Sequence, residues 1–335
     1  MINFVTVMLV DAPIKEGIGM IRYILKRFIF VIPVLLGATF LVFAIMNFTP
    51  GDPARIIAGN DATEIDLQNI REKMGLNDPF LVRYGRFIVN AIRGDLGTSY
   101  RNNLEISSQI IIRLKNTMIL AASAVFIAII IGIPVGIISA IKQYSTFDNI
   151  VMVVTLFLAA SPVFWMGLIL VLVFSLMLGI LPAAGMQTGF PGMLKSLILP
   201  AFTLSTNTLA VIARTTRASM LEVVRQDYID TARAKGLKET AITIKHMLPN
   251  ALIPILTIIG INFGSLLGGS VVTESIFAWP GVGRFIVESI SFLDTPSILA
   301  SVVMLSVFST FINLFVDLLY AYVDPRIKSQ YKAKR

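Results

Sequence analysis

Long stretches without a charged residue set the terms on which this chain can fold. Arg27 to Asp52 encloses about 24 uncharged residues, Lys115 to Lys142 about 26, Lys245 to Glu274 about 27 with the neutral His246, and Asp294 to Asp317 about 22; about 20 suffice to cross a bilayer. Lys195 to Arg214 encloses about 18, the short end of that range. Asp148 to Lys195 encloses about 46, too long for one helix. The cluster Gly179, Pro182, Gly185, Gly189, Pro191 and Gly192 ends its span near residue 178. Backbone polar groups in hydrocarbon must bond within their own segment, so these runs predict helices. The expectation is an all-α polytopic membrane protein with six transmembrane helices.

Composition agrees. Charged residues make up 14% of the chain, against about 25% in soluble domains, and mean hydropathy is +0.80. The net charge of +8 needs no nucleic acid, because positive loops between spans account for it. The chain has no Cys, which excludes disulfides, thiolate metal sites and a Cys nucleophile. A single His excludes multi-His metal chemistry, so no metal site is expected. No G-x4-G-K-[ST] phosphate loop occurs, and GVGRF lacks its lysine. No Ser/His/Asp set or paired intramembrane carboxylates points to hydrolysis, so the chain reads as a pathway and not an enzyme.

The charges also order the chain. Residues 1–19 read as an N-terminal extension, with a weak surface helix as the alternative; Met20 opens MIRYILKRF, with basic residues just ahead of the first span at 20–48. Residues 49–115 form a long external loop, 116–323 a five-helix core, and 324–335 a basic tail. With the N-terminus inside, four Lys and Arg precede the first span, Lys142 stands alone, seven lie in a central loop and five at the C-terminus. Those seventeen face only Lys195 and Arg284 on short external loops, which puts both termini in the cytoplasm. In the external loop, TEIDLQNIREKMG predicts a helix with Thr63 as N-cap, Asp66 in its first turn and Gly75 at its end. VRYGRFIVNAIRGDLG predicts an amphipathic surface helix ending at Leu96 and Gly97.

A polar interruption, Arg214 to Pro249, is set between two strongly apolar runs. It carries seven basic and four acidic residues. Leu221, Val224, Tyr228 and Thr231 fall at helical spacing, Gly236 suits a helix C-terminus, and Pro249 suits the first turn of the next helix. The expectation is a helix–Gly–helix hairpin on the cytoplasmic surface. This segment resembles the loop of ATP-binding-cassette (ABC) importer permeases with the pattern E-A-A-x3-G-x9-I-x-L-P. Asp230, Thr231, Ala232, Gly236, Leu248 and Pro249 fall on its positions. His246 stands for the usual Ile and Thr231 for an Ala, departures that point to a subfamily. QDYIDTARAKGL, TPGDPA, GLNDPFLVRYGRFIVNAIRGDLGTSY and GGSVVTESIFAWPGVGRFIVESI resemble the dipeptide/oligopeptide/nickel branch.

The resemblance covers nearly all of residues 20–328. It implies a type I importer permease fold in a prokaryotic inner or plasma membrane. It also implies a second, homologous permease subunit, two ATP-binding-cassette ATPase subunits that carry ATP and Mg, and an extracytoplasmic substrate-binding protein. The chain itself would bind no cofactor. The hairpin residues named above, with His246, would couple to the ATPases; a basic loop held on anionic lipid is the alternative, and His246 reads as packing. The external loop would face the binding protein or act as a lid that packs on the bundle. Ser161, Pro162 and Trp165, and in the fifth span Asn262, Ser265 and Ser270, are candidate pathway-lining residues, with close helix packing as the other reading. Ser161-Pro162 predicts a kink. Pro280, Gly281 and Gly283 predict a re-entrant or surface turn outside the membrane. Asp317 reads as an ion site or an interfacial salt bridge. Peptide is expected as substrate, with nickel as the alternative within the family. A stand-alone secondary transporter would need ion-coupling groups at mid-membrane, where only Asn262 and hydroxyls are on offer.

Overall fold

Thirteen α-helical segments make up most of the described chain. The computed structural model describes residues 18–59 and 62–323, and the expectations for residues 1–17, for the basic tail and for the Asp317 side chain lie outside what it describes. In order, the helices are α1 (Ile18–Phe48), α2 (Pro53–Ala58), α3 (Glu64–Lys73), α4 (Phe80–Ile92), α5 (Ile106–Ile141), α6 (Thr146–Ala160) and α7 (Val163–Leu170). They continue as α8 (Phe190–Val224), α9 (Asp227–Ala234), α10 (Glu239–Ile242), α11 (Leu248–Ile276), α12 (Val282–Ser291) and α13 (Thr295–Val323). Wide, π-helical turns extend α7 through Val171–Met177 and join α10 to α11 through Thr243–Met247. Among the described residues there is no β-strand beyond one isolated bridge, Thr98 with Glu105.

The charge-free runs become helices, but charge does not mark where those helices stop. The run expected from Lys115 begins at Ile106 and takes in Arg113 and Lys115. The run bounded by Arg214 continues to Val224 and takes in Arg214 and Arg217. Among the described residues, five helices are long and apolar enough to cross a membrane, or six if α6 and α7 count as one span. The predicted kink at Ser161-Pro162 is a turn of 107°. Both residues are extended, at φ −74°, ψ 129° and φ −60°, ψ 134°. Proline has no N–H to give the preceding turn and pushes its neighbour out of the helical region, so the ladder stops there.

Helix α8 is the core of the bundle, and α5, α6, α7 and α11 pack on it. Its closest neighbour is α5, along a row of small residues four apart: Ala124, Ala128, Gly132, Gly136 and Ala140, all buried. A Cβ built on Gly132 would stand 3.2 Å from the carbonyl oxygen of Leu209, and one on Gly136 would stand 2.6 Å from the Cβ of Thr216. Small residues let two backbones approach where lipid gives no hydrophobic drive to helix pairing.

A buried ion pair fixes α6 to this pair. Arg217 on α8 donates from Nε and Nη2 to the two carboxylate oxygens of Asp148, at 2.6 and 2.7 Å. Ser139 of α5 and the backbone N–H of Tyr144 donate to the same carboxylate. The side chain of Asp148 is 2% exposed, so the fork geometry and the two extra donors replace the water it has lost. Charge patterning had placed Asp148 at the end of a run and Arg217 in a loop; both are structural.

At the opposite end, α2 to α4 cap the bundle. Thr63 is the predicted N-cap of α3 and closes a reciprocal cap with Asp66, and Gly75 follows at φ +64°. The amphipathic helix ends earlier than expected, at Ile92, because Gly94 turns the chain at φ +84°. Tyr84 and Phe80 of α4 pack on Phe40 and Phe43 of α1, and the Tyr84 hydroxyl donates to the Leu36 carbonyl at 2.9 Å. Asp294 then ties this region down, accepting from the Ser99 hydroxyl at 2.6 Å, from the Tyr100 N–H at 3.0 Å and from the Ser297 hydroxyl at 2.7 Å.

Candidate functional site

The site lies at the end of the bundle where α5, α8 and α11 converge on the 225–249 segment. The apolar stripe expected along Leu221, Val224, Tyr228 and Thr231 does not form. Helix α8 stops at Val224, Gln226 is extended at ψ 138°, and α9 restarts with a different phase. Tyr228 and Thr231 therefore face out, and Ile229 and Ala232 turn in. They join Ile242 and Met247 from the second arm in one cluster with Ala140 of α5, Met220 and Val223 of α8, and Ala251 and Ile255 of α11. The hairpin is thus seated by its apolar back on the ends of three long helices.

Gly236 makes the reversal, at φ +77°. Its N–H donates to the Arg233 carbonyl at 2.9 Å, and the Leu237 N–H to that of Ala232 at 3.4 Å. This is the paired closure that ends a helix through a left-handed residue. Nothing lies within 4 Å of where a Cβ on Gly236 would be, so backbone conformation alone selects glycine.

The outward face is polar. Arg233 bridges the two arms, donating from Nη1 to Asp230 at 3.1 Å and from Nε to Glu239 at 2.9 Å. Both carboxylates hold the Arg233 guanidinium above its usual range, Glu239 more strongly. Asp230 and Glu239 remain 73% and 67% exposed, so this network is open to a partner. Thr231 is exposed and donates back to the Asp227 carbonyl at 3.0 Å. Ala232 is buried, and Leu248 is half-buried in the apolar cluster. Pro249 lies exposed in the first turn of α11. His246 is half-buried in the wide turn, and its carbonyl accepts from Asn250 Nδ2 at 2.8 Å. The second arm does not end at Pro249 as a separate helix would. Pro249 has no N–H for the carbonyl four residues before it, the ladder slips by one residue across Thr243–Met247, and the arm runs on into α11.

The hairpin residues are brought together; the candidate pathway residues are not. Ser161 and Pro162 make the α6–α7 elbow, where the Ser161 hydroxyl donates to the Phe157 carbonyl at 2.7 Å. Trp165 is 41% exposed and meets Phe157 edge-on at 6.0 Å between ring centres. Asn262 donates to the Ile258 carbonyl and Ser265 to that of Asn262, each at 2.8 Å and each within α11. Ser270 is buried and donates to Glu274.

Glu274 is a residue that reading by charge-free runs passed over. It closes an uncharged run in the sequence, yet it is fully buried within α11. The turn after it is not at the surface either: Trp279, Gly281, Val282 and Gly283 are all buried, because Pro280 and the glycines let the chain fold back against α5 and α11. The signal available in sequence was the pair of glycines, since a Cβ on Gly281 would overlap the Glu274 carboxylate and one on Gly283 would stand 2.7 Å from Val271 Cα. Among the described residues no group of three or more His, Cys, Asp or Glu could hold a metal ion.

Comparison with known proteins matches residues 132–329 to the model of the binding-protein-dependent transport system inner membrane component family, and residues 20–121 to that family's N-terminal model. A dipeptide transport system permease protein of Alkalihalophilus pseudofirmus is 42% identical, covering 92% of this chain and 100% of its own. An oligopeptide transport system permease protein of Bacillus subtilis is 43% identical with the same coverage. A glutathione transport system permease protein of Escherichia coli K12 is 39% identical over 92% and 99% of the two chains. Among solved structures, a chain of the inward-facing MetNI methionine ABC transporter superposes with a TM-score of 0.54 at 18% identity, covering 65% of this chain and 97% of its own. That likeness is one of fold.

Proposed function

The chain belongs to the family of binding-protein-dependent transport system inner membrane components, and on that footing we propose that it is the membrane permease of a peptide importer driven by separate ATPase subunits. The observation that carries the coupling half of this reading is the seating of the hairpin. Its apolar back is shared with the ends of α5, α8 and α11, and its polar face, with Asp230, Arg233 and Glu239, is free. A partner that moves the face moves three helix ends. The seven basic residues between Arg214 and Pro249 support a cytoplasmic position for it, with both termini on the same side. Two ATPase subunits would dock there, carrying ATP and Mg, and a second permease of like fold would complete the pathway. An extracytoplasmic binding protein would meet the 49–105 region. Closure of the ATPases would bias the helices between outward- and inward-facing states, and each ligand shifts that equilibrium only by its differential affinity.

Peptide is favoured as cargo because the relatives described above are permeases for dipeptide, oligopeptide and glutathione, all peptides. The test is co-purification with the partner subunits, followed by ATPase assays on binding protein loaded from a peptide panel or with Ni²⁺. Stimulation by peptide is the expected result. Stimulation by Ni²⁺ alone would move the cargo to the metal, and ATP turnover by the isolated chain would end the permease reading. Deleting residues 62–74 removes α3 and the Arg71 partner of Asp52, held at 2.5 Å. Binding-protein stimulation should then weaken; unchanged stimulation makes the region a packing lid.

A further inference from the structure

The carboxylate of Glu274 has no part in the hairpin, yet it is the most heavily committed group at the far end of α11. One oxygen accepts from the Thr117 hydroxyl of α5 at 2.7 Å and from the Ser270 hydroxyl at 3.0 Å; the other accepts from the Arg284 N–H at 3.0 Å. The Arg284 N–H belongs to the first turn of α12, where an anion is favoured. Beside Thr117, Asn116 takes the Trp279 indole N–H on its carbonyl at 3.0 Å and gives its side-chain N–H to the Pro280 carbonyl at 2.9 Å. The 277–284 turn is therefore clamped to α5 at Asn116 and Thr117 through a carboxylate carried by α11.

The other end of the same rod is the hairpin. Residues 239–276 run without a break from the second hairpin arm to the clamp, roughly 55 Å at helical rise. A rod displaced at one end moves only what is fastened to its other end. We infer that Glu274 is a positioning residue for transport: its clamp on Thr117 and the 277–284 turn is the fastening through which α11 carries displacement of the hairpin to that turn at the opposite end of the bundle. This rests on the transport reading above and adds to it a residue which that reading does not use.

The test uses the assembled complex in proteoliposomes and the purified chain in detergent. Thr117→Val keeps the volume and removes the hydroxyl; Thr117→Ser keeps the hydroxyl; Glu274→Gln sets an amide N–H against donors. Peptide taken up per ATP hydrolysed should fall about tenfold in Thr117→Val and Glu274→Gln, as expected for loss of a hydrogen bond to a buried charge, and recover in Thr117→Ser. The chain has two tryptophans, Trp165 and Trp279, so in a Trp165→Phe background emission reports Trp279 alone. Its emission should shift to the red in the two uncoupled variants, as the turn loosens and the indole meets water, and stay in place in Thr117→Ser. Wild-type uptake per ATP in Thr117→Val overturns the inference, as does a fall in uptake with Trp279 emission unmoved. If the unmutated complex shows no ATP-driven uptake, it is the transport reading that fails. An unmoved Trp279 in the Thr117→Val chain then still overturns the clamp, and a shifted one upholds it.

Discussion

The hairpin and the body of the bundle treat charge in opposite ways. At the hairpin, Asp230 and Glu239 lie open to solvent, and Arg233 links them across the arms. Outside the hairpin, Asp148, Glu274 and Asp294 are buried, each with three or more donors. An exposed ion pair contributes little to stability and can be exchanged for a partner's groups at small cost. A buried carboxylate cannot be exchanged without stranding its donors. The hairpin is held by its apolar back, and its charge is available; elsewhere the charge itself is the fastening.

That contrast predicts opposite orders for stability and function. The largest loss of stability should come from Asp148→Ala, which leaves Arg217 unpaired at 19% exposure and should cost about 3–5 kcal/mol. Thermal unfolding in detergent measures it, and the double variant Asp148→Ala/Arg217→Met should recover much of the loss. Asp294→Ala strands Ser99, the Tyr100 N–H and Ser297, at about 1–3 kcal/mol for each group left without a partner or a water. Limited proteolysis should then cut first within residues 49–105. Gly236→Val forces a side chain into the left-handed region at about 1–2 kcal/mol, with space around it and no clash. Unfolding temperature should barely move while transport falls steeply. Asp230→Lys should change stability by less than about 0.5 kcal/mol and yet cost the most in ATPase retention on purification. If Asp230→Lys keeps its ATPases and its transport, the hairpin is a lipid-facing loop and the contrast between its open charges and the buried ones has no functional meaning.

Much of the architecture was legible because a membrane helix announces itself within a short window. The charge-free runs, the Thr63–Asp66 cap and Gly236 are all local signals, and the structure contains them. The buried charges were not legible for a physical reason. Burying Asp148 is tolerable only because Arg217 stands 69 residues away in sequence, and Glu274 only because Thr117 stands 157 away. No window that finds a helix spans such a pair, so each charge was read as the end of a run. The phase of the hairpin was lost in the same way: one extended residue at Gln226 turned Ile229 inward in place of Tyr228.

The α5–α8 seam has a consequence for how the bundle assembles. Where Gly132 and Gly136 meet α8, the contact surface on α5 is nearly bare backbone. Glycine and alanine have no rotamers to surrender, whereas a long side chain would forfeit up to about 2 kcal/mol of conformational freedom on being fixed. In hydrocarbon there is no release of water to offset such a loss. This close joint thus gives up little side-chain disorder in forming, which suits it to form early and to stay closed while the hairpin moves.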